Sequence, residues 1–487
     1  MDANYIYPDI DFLKHNEKEA NQVNDGSNLV TFLAKMKASV KIAYTEATNI
    51  STLYALELAP GVRVSKITAL QHEISVVLQA SDIQFDIPIP GTSYLGIRAI
   101  KESVPQALLG DFLKNDSYLK SERFMEVILG RLYDGKPAYY DFSKFTHLLI
   151  SGTTGSGKSI FIDSVLVNLL YKASPDELKL ILIDTHALNL LRFNNISHLI
   201  FPVVTDVKKA AGSLEWAVAE MDYRYKCLSE NGVKNIESYN ELMINTFKKT
   251  MPRILVVIDD LADLMSGYSY PKALQEDLER LVSMSRAAGI HLLLSIQRPS
   301  SNVVSSAIKM NIANRIAFKT VSGGDSRLII NTNGAEQLSG NGDMLFIQLG
   351  RQEPVRLQGL FVSDEEIDCV VKFIIRNNSF YAFHNQVNNT PCDTLTTANT
   401  GTPPNIDNET SSGYDELLVE AGRFIIEKQK SSVGMIQRVF KIGFNRAARI
   451  MDQLAELGVV GPEEGTKPRI ILMNIDEFEK FVKENDI

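Results

Sequence analysis

The segment Gly152-Thr-Thr-Gly-Ser-Gly-Lys-Ser159 limits the possible folds more than any other stretch of the chain. It fits the pattern G-x-x-x-x-G-K-S/T, with Gly152, Gly157, Lys158 and Ser159 at the fixed positions. An apolar run from His147 to Ile150 precedes it, and Ile160, Ile162, Val165, Leu166 and Leu169 follow at helical spacing. In this strand–loop–helix setting, the backbone N–H groups of Gly152, Thr153, Thr154, Gly155, Ser156 and Gly157 are expected to curl around phosphate oxygens. The helix N-terminus adds a favourable dipole for an anion. Lys158 is expected to reach the β- and γ-phosphates of ATP, and the Ser159 hydroxyl to ligate Mg²⁺.

The chain is 487 residues long, which fits about three domains. With 45% apolar and 22% charged residues it can bury substantial cores. A net charge of −9 excludes a generally basic nucleic-acid coat, so any DNA contact must come from local patches. Cys227, Cys369 and Cys392 lie far apart, and the seven histidines show no HxxxH pairing. That spacing provides neither a zinc motif nor a disulfide framework and fits a reducing cytoplasm. Residues 1–28 are polar and acidic and read as a flexible leader, and no run approaches the ~18 to 20 apolar residues of a membrane span.

Residues 29–118 read as a small α/β assembly domain. Tyr54–Leu58 and Ile83–Ile89 alternate with period two as strands, and Val64–Gln79 is expected to be one amphipathic helix. Residues 119–376 alternate helices with apolar runs at His147–Ser151, Leu178–Asp184, Arg253–Asp259, Ile290–Ile296, Arg315–Thr320 and Asp343–Gln348. Continuous apolar strands between helices imply a mostly parallel sheet covered on both faces. Residues 377–412 are rich in Asn, Thr, Ser and Pro and read as a disordered linker, after which 413–487 form a further compact domain.

Arg253-Ile-Leu-Val-Val-Ile-Asp-Asp-Leu261 is an apolar strand ending in two carboxylates. Downstream of a complete phosphate loop, Asp259 is expected to hold Mg²⁺ and Asp260 to polarise the attacking water. Gln297, ending the next strand, is positioned to sense the γ-phosphate or orient water. An arginine from a neighbouring subunit often neutralises charge in phosphoryl transfer. Arg315 and Arg327 are the candidates, with Arg315 preferred.

Ser285-Arg-Ala-Ala-Gly-Ile-His291, Gln297-Arg-Pro-Ser300, Arg315-Ile-Ala-Phe318, Asp325-Ser-Arg327, Gly334-Ala-Glu-Gln-Leu338 and Gly342-Asp-Met-Leu345 together closely resemble the FtsK/SpoIIIE family of DNA translocases. The resemblance also takes in His147–Ser159, Phe201–Asp206, Pro88–Gly96 and Asn445–Ile450. It implies an α domain, a RecA-like P-loop β motor domain and a C-terminal winged-helix γ domain. It further implies a hexameric ring that threads double-stranded DNA, in chromosome segregation or DNA transfer, with a site-specific recombinase as a candidate partner. A ring reconciles DNA with the acidic balance, since only loops facing the channel need be basic.

The chain departs from the family at three points. Asp259-Asp260 stands where members usually carry Asp-Glu, and Asp184-Thr-His186 where Asp-Pro-Lys is common. The family's membrane-anchoring N-terminus is absent from this sequence. A side chain one methylene shorter at Asp260 stands farther from the γ-phosphate unless the loop compensates.

Between Arg423 and Arg449, seven basic residues face a single acid, Glu427. Ser432–Phe440 and Asn445–Leu457 read as two helices joined by a turn, with Pro468–Leu472 as a wing strand. Arg446, Arg449 and Gln453 share the face opposite the apolar stripe of Ala447, Ile450, Met451, Leu454 and Leu457. With the resemblance, Arg438, Lys441, Asn445, Arg446 and Arg449 are expected to contact DNA, the second helix entering the major groove. Two other readings are a conjugation- or secretion-type motor of the wider FtsK–HerA group and a non-motor adaptor that binds DNA in an ATP-dependent way.

Overall fold

The computed structural model describes residues 5–16, then 25–378 apart from 49, 102–103, 115, 267–270, 298, 300–304 and 352, then 417–428 and scattered positions from 435 to 478. The chain divides into two units, residues 1–398 and 399–487.

The first unit begins with a four-stranded antiparallel sheet made by β1 (Val40–Ala47), β2 (Ser51–Leu58), β3 (Asp82–Asp86) and β4 (Leu95–Ile100), in the order β1-β2-β4-β3. Leu29 and Leu33 of helix Ser27–Lys35 pack on one face of it with Ile67 and Ile74. The single helix expected over Val64–Gln79 is two, Val64–Thr68 and Gln71–Leu78. Apolar spacing records only the buried face. Ile67 and Ile74 keep that face, while the break falls at exposed Ala69, where the pattern carries no information.

A nine-stranded sheet follows, from β5 (Glu126–Arg131), β6 (Pro137–Asp141), β7 (His147–Ser151), β8 (Leu178–Asp184), β9 (Arg253–Asp259), β10 (Ile290–Ile296), β11 (Arg315–Phe318), β12 (Asp343–Ile347) and β13 (Val355–Gly359). Its order is β6-β5-β13-β12-β11-β7-β10-β9-β8. The strands β11, β7, β10, β9 and β8 are mutually parallel, as their continuous apolar runs require. From β11 to β6 every pairing is antiparallel, so the sheet is mixed rather than parallel throughout. Alternate residues face two separate cores. Leu148, Leu182 and Val257 pack with helices Lys158–Leu170 and Asp364–Asn377, whereas Leu149, Ile183 and Ile258 pack with Val207–Glu230 and Pro271–Met284.

Residues 5–16 correct the flexible leader. Tyr5 and Leu13 are buried in the first of these cores, and Ile6 and Asn378 exchange two hydrogen bonds of 2.9 and 3.0 Å. The Tyr171 hydroxyl donates to the Asp9 carbonyl at 2.8 Å. Averaging composition over 1–28 concealed the apolar run Tyr5–Leu13. Ala107, Leu109 and Leu113, assigned above to the first domain, also belong to the first of the two cores of the nine-stranded sheet.

The two sheets are joined by Arg356 of β13. Its guanidinium donates to both Asp343 oxygens at 3.0 and 2.8 Å and to Asp82 of β3 at 2.6 Å. Burial alone would raise the Asp343 pKa, but hydrogen bonds from Arg356 and Ser339 outweigh it and leave the pKa lowered. Asp343 is 1% exposed, so removing its partner strands a buried charge. Arg356→Ala is expected to cost about 3 to 5 kcal/mol, read by chemical denaturation at pH 7. Because the folded Asp343 pKa is depressed, its contribution is present above the unfolded value near ~3.9 and is lost as pH falls through the folded value. The deficit of the variant should therefore shrink in acid, and equal stabilities at pH 7 would remove this role for Arg356.

In the C-terminal unit, Leu418, Ala421 and Ile425 of helix Leu418–Lys428 pack with Ala447, Ile450, Leu454, Val459 and Phe478. Val460 pairs antiparallel with Ile471. The stripe expected on the second helix is thus buried at Ala447, Ile450, Met451 and Leu454. Arg438, Lys441, Asn445, Arg446 and Arg449 lie outside the described residues, as does the expected linker beyond Asn378.

Candidate nucleotide site

Strand β7 delivers the loop Gly152–Gly157 to the start of helix Lys158–Leu170, at the carboxyl ends of the parallel strands. Gly155 and Gly157 have φ of 76° and 109°, a region closed to most side chains. The loop is anchored from three directions. Thr153 N donates to Lys319 O at 2.9 Å, Gly152 N to Ile296 O at 3.3 Å, and Gly342 N to Ser156 O at 2.9 Å. Lys158 is 7% exposed, and its Nζ donates to the carbonyls of Gly152 and Thr153 at 2.5 and 2.9 Å. Burial lowers its pKa, against the opposing pull of the Asp259 and Asp260 carboxylates.

Asp259 ends β9 directly beside Asp184, the last residue of β8. Asp184 is buried and accepts from four backbone N–H groups, those of His186, Leu188, Asn189 and Leu190, at 2.8 to 3.2 Å. This winds the following loop so that Asn189 points back into the site. Its Nδ2 donates to Ser159 Oγ at 3.1 Å and to Asp259 Oδ2 at 3.0 Å. The two expected Mg²⁺ ligands therefore flank one amide nitrogen. Neither Asp184 nor Asn189 was singled out from the sequence. The available signal was that β8, like β9, is an apolar strand ending in aspartate.

Asp260 is 5% exposed and has φ of 64°. Its Oδ1 accepts from Ala262 N at 3.1 Å, capping helix Leu261–Ser266, and its Oδ2 lies 4.0 Å from His186 Nε2. Burial first, then the neighbouring Asp263 carboxylate, raises its pKa. Gln297 reaches the loop from the end of β10, its Oε1 accepting from Thr154 Oγ1 at 3.3 Å. Gln297 and Thr154 border a cleft of about 800 Å³ together with Gly152, Thr153, Thr320 and Asp325.

Arg315 is not available to a neighbouring subunit. It is 6% exposed, and its guanidinium donates to the carbonyls of Ile312 at 2.7 Å, Ile329 at 3.1 Å and Lys309. Each of its three guanidinium nitrogens is thus engaged by a carbonyl of its own chain. Arg327, on helix Gly323–Ile330, is exposed.

Models of the FtsK alpha domain, the FtsK/SpoIIIE family and the Ftsk gamma domain match residues 7–99, 109–301 and 412–474 in turn. The DNA translocase FtsK of Clostridium acetobutylicum is 40% identical over 485 residues, spanning 98% of this chain and 62% of that protein. The chain belongs to the FtsK/SpoIIIE family. The DNA translocase FtsK of Listeria monocytogenes is 37% identical over 483 residues, spanning 97% of this chain and 62% of that protein. The chain thus spans about three fifths of the length of these curated FtsK relatives. In fold it resembles the pCW3 conjugation coupling protein TcpA, solved in monomer form with ATPgS. That likeness has a TM-score of 0.51 and 21% identity over 72% of this chain and 99% of the other. Among the described residues no helix is long and apolar enough to cross a membrane.

Proposed function

We propose that this chain is an ATP-driven motor that moves along double-stranded DNA as a hexameric ring in the cytoplasm. The observation that carries the ATPase part is the Asn189 amide between Ser159 and Asp259, 3.1 and 3.0 Å away. It gathers a hydroxyl and a carboxylate beside the phosphate loop, an oxygen donor set suited to Mg²⁺. The ion, when bound, neutralises charge on the phosphates. Lys158 and the loop N–H groups hold the triphosphate, and Thr154 steadies Gln297 toward its end. The recess of about 290 Å³ beside Gly157, walled by Ile160, Phe161 and Phe361 with the Gln106 and Gln358 amides, suits an adenine base.

Asp260 takes the proton of the attacking water. Its pKa is raised, by burial first, which makes its carboxylate form a stronger base than that of an exposed aspartate. The exposure of Arg327 supports it, rather than Arg315, as the arginine that acts in a neighbouring copy.

The DNA part rests on the relatives named DNA translocase FtsK and on the match of residues 412–474 to the gamma domain. The basic residues of that segment read DNA and orient the motor. Arg446→Ala is expected to cost about 1 to 3 kcal/mol on a preferred sequence and to blur preference, whereas Lys441→Ala mainly flattens the salt dependence. Equal loss for Arg446→Ala on preferred and random duplexes would remove base readout. The motor itself is tested by ATP turnover with and without duplex DNA, alongside displacement of a triplex-forming strand. DNA-stimulated turnover with displacement is expected. Negligible, DNA-independent turnover would overturn the proposal.

A further inference from the structure

The two internal departures from the family pattern, His186 and Asp260, lie 186 and 260 residues into the chain yet meet in space. His186 Nε2 stands 4.0 Å from Asp260 Oδ2 and in contact with Asp263 Oδ2. One donor atom from each of the three side chains lies within 4.8 Å of the others. Lysine and glutamate, the family's usual residues at the first two positions, do not make such a set, because a charged ammonium is not a ligand. We propose that His186, Asp260 and Asp263 form a site for a zinc-type transition-metal dication, distinct from the Mg²⁺ position at Ser159 and Asp259, whose occupancy arrests hydrolysis.

Three observations converge on this site. The Asp260 side chain is 6% exposed, and its Oδ1 is used by the helix cap. Among the described residues no donor lies within hydrogen-bond distance of Oδ2, which faces the His186 imidazole 4.0 Å away and the Asp263 carboxylate. The donor set is one imidazole nitrogen and two carboxylate oxygens. Imidazole favours Zn²⁺ and its neighbours in the first transition series, while Mg²⁺ selects oxygen alone. The geometry is also within reach. Zinc–ligand bonds of ~2.0 to 2.2 Å place donors roughly 3.3 Å apart, and His186, 47% exposed on a loop, can close the 4.0 Å gap by a small rotation. A water or a phosphate oxygen completes the tetrahedron. The sequence offered no zinc spacing because His186 comes from the loop after β8, whereas Asp260 and Asp263 come from the turn and first helical turn after β9.

The consequence for activity rests on the hydrolytic role given to Asp260 above. The oxygen that would face a metal is the one that would accept the proton of water, so the two uses exclude each other. The test is calorimetric titration of Zn²⁺ into the full chain, nucleotide-free and in excess Mg²⁺, followed by ATP turnover across the same Zn²⁺ range. One Zn²⁺ per chain is expected in the wild type. The affinity should fall at least about tenfold in His186→Ala and in Asp263→Asn, and the inhibitory Zn²⁺ concentration should rise by the same factor. Equal Zn²⁺ affinity in wild type and both variants overturns the site. Zn²⁺ that binds at these residues yet leaves turnover unchanged keeps the site and overturns the role of Asp260, so the two failures are distinguishable.

Discussion

Asp260→Asn is expected to lower ATP turnover by about 10² to 10⁴-fold while leaving nucleotide affinity near the wild-type value. The position makes this a clean test of chemistry. At φ of 64° asparagine is, after glycine, among the side chains best tolerated. Its amide oxygen can still accept from Ala262 N, so the cap of helix Leu261–Ser266 survives. What is lost is the negative oxygen able to accept a proton from water. Asp260→Glu restores reach toward the γ-phosphate but gives up the short-chain cap, a local cost of about 1 kcal/mol. It is expected to retain activity and to equal or exceed the wild type if reach limits the rate. Single-turnover hydrolysis and equilibrium binding of a fluorescent nucleotide separate the two steps. Unchanged turnover in Asp260→Asn would remove this residue from the hydrolytic role.

Gly157→Ala should be nearly as damaging, for a steric reason. Gly157 has φ of 109°, and a Cβ there would stand 2.5 Å from Gly342 N and 2.8 Å from Gly342 Cα. Both are backbone atoms, and they belong to the residue whose N–H anchors Ser156 O. Relief therefore requires the loop or the Gly342 turn to move. A shift of about 1 Å in a positioning element costs on the order of 10²-fold in kcat/KM. Gly135→Ala provides the control, since Gly135 has φ of 88° with nothing within 4 Å of the added Cβ. Both variants carry the backbone strain of about 1 to 3 kcal/mol, and Gly157→Ala alone carries the collision. Matching turnover and thermal midpoints in the two would exclude the contact with Gly342 as a constraint on the site.

The parts legible in the sequence were those where burial leaves no choice. The strands β7, β8, β9 and β10 coincide residue for residue with apolar runs because both of their faces are covered. The antiparallel extension was harder to read. Strands β5 and β13 follow no long apolar run, and their place beside β12 depends on contacts far away in the chain. In the site, Lys158, Ser159, Asp259 and Asp260 follow from local pattern. Asn189 does not, since its direction is set by the four N–H groups gathered on Asp184. Arg315 shows the opposite failure. A basic residue opening a strand suggests an outward charge, but carbonyls from Lys309, Ile312 and Ile329 converge on it once the chain folds.

Gly342 and Asp343 are consecutive residues with different duties. The first gives its N–H to the phosphate loop, and the second holds Arg356, which also grips Asp82 in the other sheet. Two adjacent residues thus serve the lip of the phosphate cradle and the seam between the sheets. Displacing either is expected to pull on the other, which couples the seam to the cradle through adjacent residues.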